Sequence, residues 1–198
     1  TGARVLRSSP VQLGTSSWIA IGGKTNPVGL LTTYALFGWG TQTAGQLGQT
    51  DTALRSSPVQ IAALTGSIDN LSSPTQIGTS SWSFASAGVS HAALIRSDST
   101  LWTTGSNSYG QLGNNSSTNQ FSLIQIGTSL WTKVSSSYYH CLAIQSGGTL
   151  WGWGNNSYGQ LGNNTTATYS SPVQIGTSLW TQVAGGGGFS LAIRTDGT

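Results

Sequence analysis

The sequence predicts an all-β fold, a β-propeller whose blades of four antiparallel strands make a partial ring or arc of about four units, and three observations carry that prediction. Motifs recur 49 residues apart, and the stretches between them alternate apolar and polar residues with Gly, Asn and Asp at their ends. No 11-residue window shows a helical period free of Gly, Pro and Ser/Thr clusters. Each repeat therefore reads as a small sheet.

The spacing follows by subtraction. Gly-Gln-Leu-Gly begins at Gly45, Gly110 and Gly159, intervals of 65 and 49. An apolar residue followed by Gly-Thr-Ser-x-Trp ends at Trp18, Trp82, Trp131 and Trp180, intervals of 64, 49 and 49. Ser-Ser-Pro-Val-Gln begins at Ser8, Ser56 and Ser170, and a variant of it begins at Ser72. The copies at Ser56 and Ser72 stand 16 apart, so 56–71 is read as a segment inserted into a single propeller-type domain, 1–198. Without it the chain holds about 3.7 repeats, and the absence of Met suggests a piece of a longer chain.

The third unit shows the elements most clearly. Residues 131–136 are β-prone, and 140–145 place Leu142 and Ile144 on one face. A turn at 146–149 leads into a third strand at 150–154, and after a Gly/Asn loop 172–175 reads as a short fourth strand. The corresponding turns of the neighbouring units, 97–100 and 195–198, contain Asp98 and Asp196, where a hairpin accepts Asp or Gly for backbone reasons.

The run Leu150-Trp-Gly-Trp-Gly-Asn-Asn-Ser-Tyr-Gly-Gln-Leu-Gly162, then Ser-Ser-Pro-Val-Gln-Ile175, then Val183-Ala-Gly-Gly-Gly-Gly-Phe-Ser-Leu-Ala-Ile193, resembles the repeat of the regulator of chromosome condensation family. The resemblance covers the chain apart from 56–71 and is weakest in the first unit, where Tyr34-Ala-Leu-Phe-Gly-Trp-Gly40 departs from the apolar-Trp-x-Trp-Gly pattern. It implies a seven-bladed propeller, for which this chain has about half the length. The family's best-known activity, nucleotide exchange on a small nuclear GTPase with chromatin binding, relies on charged loops and a basic tail, and is not carried over to this chain, which has almost no charges to deploy. Other members implied by the resemblance are secreted bacterial enzyme inhibitors and repeat-rich surface or phage proteins.

Composition narrows the function classes. Only 6% of residues are charged against about 25% in an ordinary soluble domain, and the net charge of +3 comes from scattered side chains, so nucleic acid is not an expected partner. With 36% hydrophobic residues, 8 Trp, 6 Tyr and 4 Phe, the chain has the burial capacity to fold. No apolar run reaches the roughly 18 residues of a membrane span, and the start lacks the apolar core of a signal peptide.

Residues that could carry chemistry read as structural. His91 and His140 are one period apart in a slot that holds Pro27 in the first unit and Phe189 in the fourth, which suits packing and hydrogen bonding better than a metal. Cys141 follows His140 on a strand, so the two side chains diverge, and Ala92 and Ser190 at its equivalents argue for a small buried residue. Asp51, Asp69, Asp98 and Asp196 form no carboxylate pair. The run 185–188 lacks the lysine and helix of a phosphate cradle. The periodic tryptophans are expected in the core, with sugar stacking open to an exposed one, and the Asn-x-Ser/Thr sites at Asn114, Asn115, Asn163 and Asn164 mark exposed loops.

No catalytic residue, metal or cofactor is assigned, and the chain is read as a non-enzyme. Tyr109 and Tyr158 are expected to brace the turns they precede. Candidate contacts with a partner are the departures from the repeat, Tyr138 and Tyr139 and the inserted Leu64, Ile68 and Leu71. The polar, uncharged, near-identical repeats suggest a structural or interaction module of a virion or cell exterior, such as a tail fibre or adhesin, touching protein subunits or a glycan receptor. The alternative is a soluble, cytoplasmic propeller regulator that binds a protein as an exchange factor or inhibitor would.

Overall fold

The computed structural model describes residues 80–198 and four earlier strands, β1 (Trp18–Gly22), β2 (Val28–Leu31), β3 (Leu36–Gly40) and β4 (Arg55–Gln60), these four as backbone. Every regular element among them is a strand. β1 to β4 form one antiparallel sheet in chain order, with Val59 opposite Gly38. The strand Arg55–Gln60 thus draws on the opening residues of 56–71; Leu64, Ile68, Leu71 and Pro27 lie outside the described residues.

The later part is one sheet of eight strands, β5 (Trp82–Ala87), β6 (His91–Arg96), β7 (Thr100–Gly105), β8 (Gln120–Ser136), β9 (His140–Gln145), β10 (Thr149–Gly154), β11 (Tyr169–Gly185) and β12 (Ser190–Arg194). It is continuous because β8 and β11 each serve two blades. The first part of β8 pairs with β7 (Gln125 opposite Trp102), and its second part pairs with β9 (Val134 opposite Ala143). β11 does the same between β10 and β12. The short fourth strand expected at 172–175 is therefore part of a 17-residue strand that also contains the next blade's first strand. Between the two parts the chain passes through Gly127 (φ 58°) and Gly176 (φ 61°), a left-handed conformation that glycine adopts without steric cost.

The cores lie between blades. Ala93, Ile95, Leu101 and Ile126 of one blade meet Trp131, Val134, Cys141, Ala143 and Trp153 of the next. One step on, Leu142, Ile144, Leu150, Leu161 and Ile175 meet Trp180, Val183 and Ala192. Alternate residues of β9 thus feed opposite cores, and at this strand both faces of the sheet are buried. Trp131 packs edge-on against Trp151 and Trp153 at 6.3 and 6.1 Å, and the Trp153 indole N–H donates to the Gln111 carbonyl of the preceding blade at 2.9 Å. No helix among the described residues is long and apolar enough to cross a membrane.

Candidate functional site

In an antiparallel blade the connections after the first and third strands emerge at the same end. That end carries two repeated loops, 106–119 and 155–168, beside the tight turns 88–90, 137–139 and 186–189. The loops hold themselves by a buried asparagine. Asn107 Oδ1 accepts the Leu112 N–H at 2.9 Å, and its Nδ2 donates to Asn114 Oδ1 and to the carbonyls of Ser116 and Thr118. Asn156 repeats this with Leu161, Asn163 and Thr165. A wide loop with no regular structure is thereby closed around one fully satisfied amide.

The tyrosine in each loop is aimed outward by the same device. Gln111 Oε1 accepts the Tyr109 N–H and Gln160 Oε1 accepts the Tyr158 N–H, both at 2.9 Å, so the backbone is held while the ring is left exposed. The bracing role expected of these rings belongs instead to the glutamine side chains. Tyr138 and Tyr139, at the neighbouring turn, come to the same place: Tyr139 lies 4.9 Å from Tyr109 and 5.8 Å from Tyr138, centroid to centroid. These three rings and Tyr158 border a cleft of about 410 Å³ whose polar lining is Asn155, Ser157 and Gln160. A larger pocket, about 510 Å³, lies over Leu142, Leu161 and Trp180, where the facing blades pack, and opens to the surface beside the exposed Tyr158, Phe189 and Leu191.

The charges whose side chains are described lie elsewhere. Arg96 pairs with Asp98, and Arg194 with Asp196, each at 3.2 Å, in turns at the opposite end of the strands. Hydrogen bonds from the Thr100 and Thr198 side chains, then from their backbone N–H groups, hold the two aspartates below the usual carboxylate range. Lys133 lies over the Phe84 ring at 5.3 Å. The tyrosine end is uncharged among the described residues.

The histidines join blade to blade. His91 Nε2 sits 3.1 Å from Cys141 Sγ, and His140 Nε2 sits 3.0 Å from Ser190 Oγ, both pairs 50 residues apart. The Ser190 hydroxyl donates to the Gln160 carbonyl at 2.7 Å, so His140 Nε2 carries the hydrogen it shares with Ser190. Burial, then the charge of His140, lowers the His91 pKa to about 3. Burial raises the Cys141 thiol to about 12, against a smaller opposing effect of Ser136, so at neutral pH Cys141 is a thiol and no nucleophile. Cys141 does diverge from His140, as strand geometry requires; its meeting with His91 went unseen in the sequence. The available signal was the spacing itself, one period plus one residue. Among the described residues no three His, Cys, Asp or Glu side chains converge.

A sequence model of the regulator of chromosome condensation (RCC1) repeat matches residues 35–95, 98–144 and 147–193, and a second model of the same repeat matches 84–111 and 131–160. The chain belongs to the RCC1 repeat family. Its fold is that of solved RCC1-type propellers. Human WBSCR16 superposes with a TM-score of 0.73 at 20% identity over 95% of this chain and 48% of its own. Prp20p of Saccharomyces cerevisiae, studied for its binding to Gsp1p and histones, gives 0.72 at 18% identity over 87% of this chain and 42% of its own. The same yeast RCC1 bound to Kap60 gives 0.71 at 16% identity, 94% and 43%. The chain spans less than half the length of these proteins. Within the RCC1 repeat, Asn107 and Asn156, the Gly-Gln-Leu-Gly turns and the two His slots build the scaffold. Tyr138 and Tyr139 interrupt the repeat, and the structure brings them together with Tyr109.

Proposed function

We propose that this chain is a non-enzymatic protein-interaction module, one propeller-type domain over 1–198 with 56–71 inserted, which docks a globular protein partner through its tyrosine-bearing end. The convergence of Tyr109, Tyr138, Tyr139 and Tyr158 from three connections of adjacent blades carries this reading. Tyrosine flanked by Ser, Gly and Asn on rigidly held loops supplies large contact area at small entropic cost, with adaptable hydrogen bonding around it. Leu64, Ile68 and Leu71 of the inserted segment are proposed as further contacts. Family membership and the likeness to Prp20p favour a regulator over a virion component, adhesin or glycan receptor.

The test starts from in-cell crosslinking in the source organism to identify the partner, followed by titration of the purified pair. Replacing Tyr109 and Tyr139 together by Ala should weaken binding by roughly a hundredfold, the loss typical of central aromatic anchors. Replacing Leu130 and Leu179, exposed residues at the other end, by Ser should leave it unchanged. The opposite outcome assigns the interface to the other end. Nucleotide release from a bound small GTPase, followed by fluorescence, separates an exchange factor from an inhibitor.

A further inference from the structure

Tyr109 and Tyr158 hold the same position in successive repeats, yet their rings meet different surroundings. Tyr109 lies against Tyr139 and is 42% exposed. Tyr158 is 84% exposed, and among the described residues no ring packs on it. The cause is legible one period on: Gly187 and Gly188 stand where the preceding unit has Tyr138 and Tyr139.

Nothing in the backbone requires glycine there. Neither Gly187 nor Gly188 has a left-handed φ, and a Cβ on Gly188 would sit 3.4 Å from Tyr158 Cδ2, ordinary van der Waals contact. One on Gly187 would sit 3.5 Å from Tyr138 Cδ2. The missing side chains therefore leave a notch beside Tyr158, open to the 410 Å³ cleft and walled on its far side by Tyr138 and Tyr139.

We propose that the protein partner fills this notch with an aromatic side chain, which lies on Tyr158 as Tyr139 lies on Tyr109. The molecule supplies the template: one repeat earlier, the same loop conformation with the same glutamine bond accepts a tyrosine ring at 4.9 Å. A ring exposed on one side forfeits dispersion contacts there, and a second ring restores them in the tilted or edge-on geometry that aromatic quadrupoles favour. No carboxylate among the described residues faces the notch to pair a guanidinium or ammonium group. This inference rests on the docking reading above and names the group that anchors it.

The probe is a terminally blocked Gly-Ser-Tyr-Ser-Gly peptide titrated into the 198-residue chain while the Tyr158 ring protons are followed by NMR. Chemical-shift changes at Tyr158 should saturate at roughly tenfold lower concentration than with the matching Gly-Ser-Leu-Ser-Gly and Gly-Ser-Arg-Ser-Gly peptides, the scale of one aromatic pair. Maltotetraose should leave them unmoved. Gly188→Tyr should fill the notch from within and abolish the response, and Tyr158→Leu, which keeps the backbone bond to Gln160, should abolish peptide-induced shifts at the Tyr138 and Tyr139 rings.

Saturation by the leucine or arginine peptide at the same concentration as the tyrosine peptide, a response to the sugar instead, or full binding by Gly188→Tyr would overturn the proposal. The crosslinked partner separates the two readings. If it loses affinity for the Tyr109/Tyr139 variant but binds Gly188→Tyr as it binds the parent, the docking end stands and the notch does not. If both variants bind it normally, the docking reading fails as well.

Discussion

β9 and β12 carry nearly one sequence, Cys141-Leu-Ala-Ile144 and Ser190-Leu-Ala-Ile193, and meet opposite environments. Leu142 and Ile144 are 1% and 2% exposed, whereas Leu191 and Ile193 are 66% and 49% exposed. The two strands have the same neighbours on one side only. Leu142 and Ile144 face the blade that brings Trp180, Val183 and Ala192, and no described residues lay such a blade over β12. In a stack of repeats the alternation of a strand decides which face a side chain takes, but its stabilisation comes from the adjoining unit. The same contrast holds at the head of the strands, where His140 is buried and Phe189 is exposed.

The largest expected effect that sharpens this contrast comes from acid. His91 is buried with a pKa near 3, against 6.5 for an ordinary histidine, so between these values the unfolded chain binds a proton that the folded chain refuses. Its contribution is fully present above pH 6.5 and declines as pH falls toward 3, by about 1.4 kcal/mol per pH unit and up to roughly 5 kcal/mol in total. Urea unfolding at a series of pH values should show this slope, and His91→Gln should flatten most of it. Equal slopes for the two proteins would break the link between burial and titration.

Next in size is the leucine pair. Leu142→Ala should lower the unfolding free energy by about 2 to 5 kcal/mol through lost transfer energy and the cavity it leaves, and Leu191→Ala should change it by less than about 1 kcal/mol. Similar denaturation midpoints for the two variants would show that β12 is covered in solution.

The loop asparagines should matter somewhat less. Asn156→Ala strands the buried Leu161 N–H and removes the bond to the Thr165 carbonyl that closes the loop, at a cost of about 1 to 3 kcal/mol, readable as a lowered melting temperature. The smallest effect is a gain. Gln160 Nε2 donates to Asn155 Oδ1 at 2.9 Å, while Gln111 Nε2 is buried without a partner, because Ser106 stands where Asn155 would be. Ser106→Asn should restore that bond and raise stability by about 1 kcal/mol. A variant less stable than the parent would mean that the two loops differ in more than this residue.

Much of the fold was legible in the residues. The 49-residue spacing of Trp82, Trp131 and Trp180 announced the blades, and the alternation in 140–145 placed Leu142 and Ile144 together. Asp98 and Asp196 occupy the turns assigned to them and accept hydrogen bonds from Thr100 and Thr198. The fusion of one blade's last strand with the next blade's first was not legible, because Gly127 and Gly176 look like loop glycines until their φ and the register on either side are known. Of the candidate contacts, Tyr138 and Tyr139 stood out as breaks in the repeat. Their meeting with Tyr109 could not be read, since it depends on the step between blades.

Local chemistry thus settled the strand periods, the turn residues, the family and the scarcity of charge, because each depends on neighbours a few positions away or on a repeat that can be counted. Tertiary structure decided which identical side chains are covered, which histidine reaches the cysteine, and why Tyr139 caps one tyrosine while Gly188 leaves its counterpart bare. Those outcomes are set by contacts 30 to 50 residues apart, across a gap between blades that only packing can close.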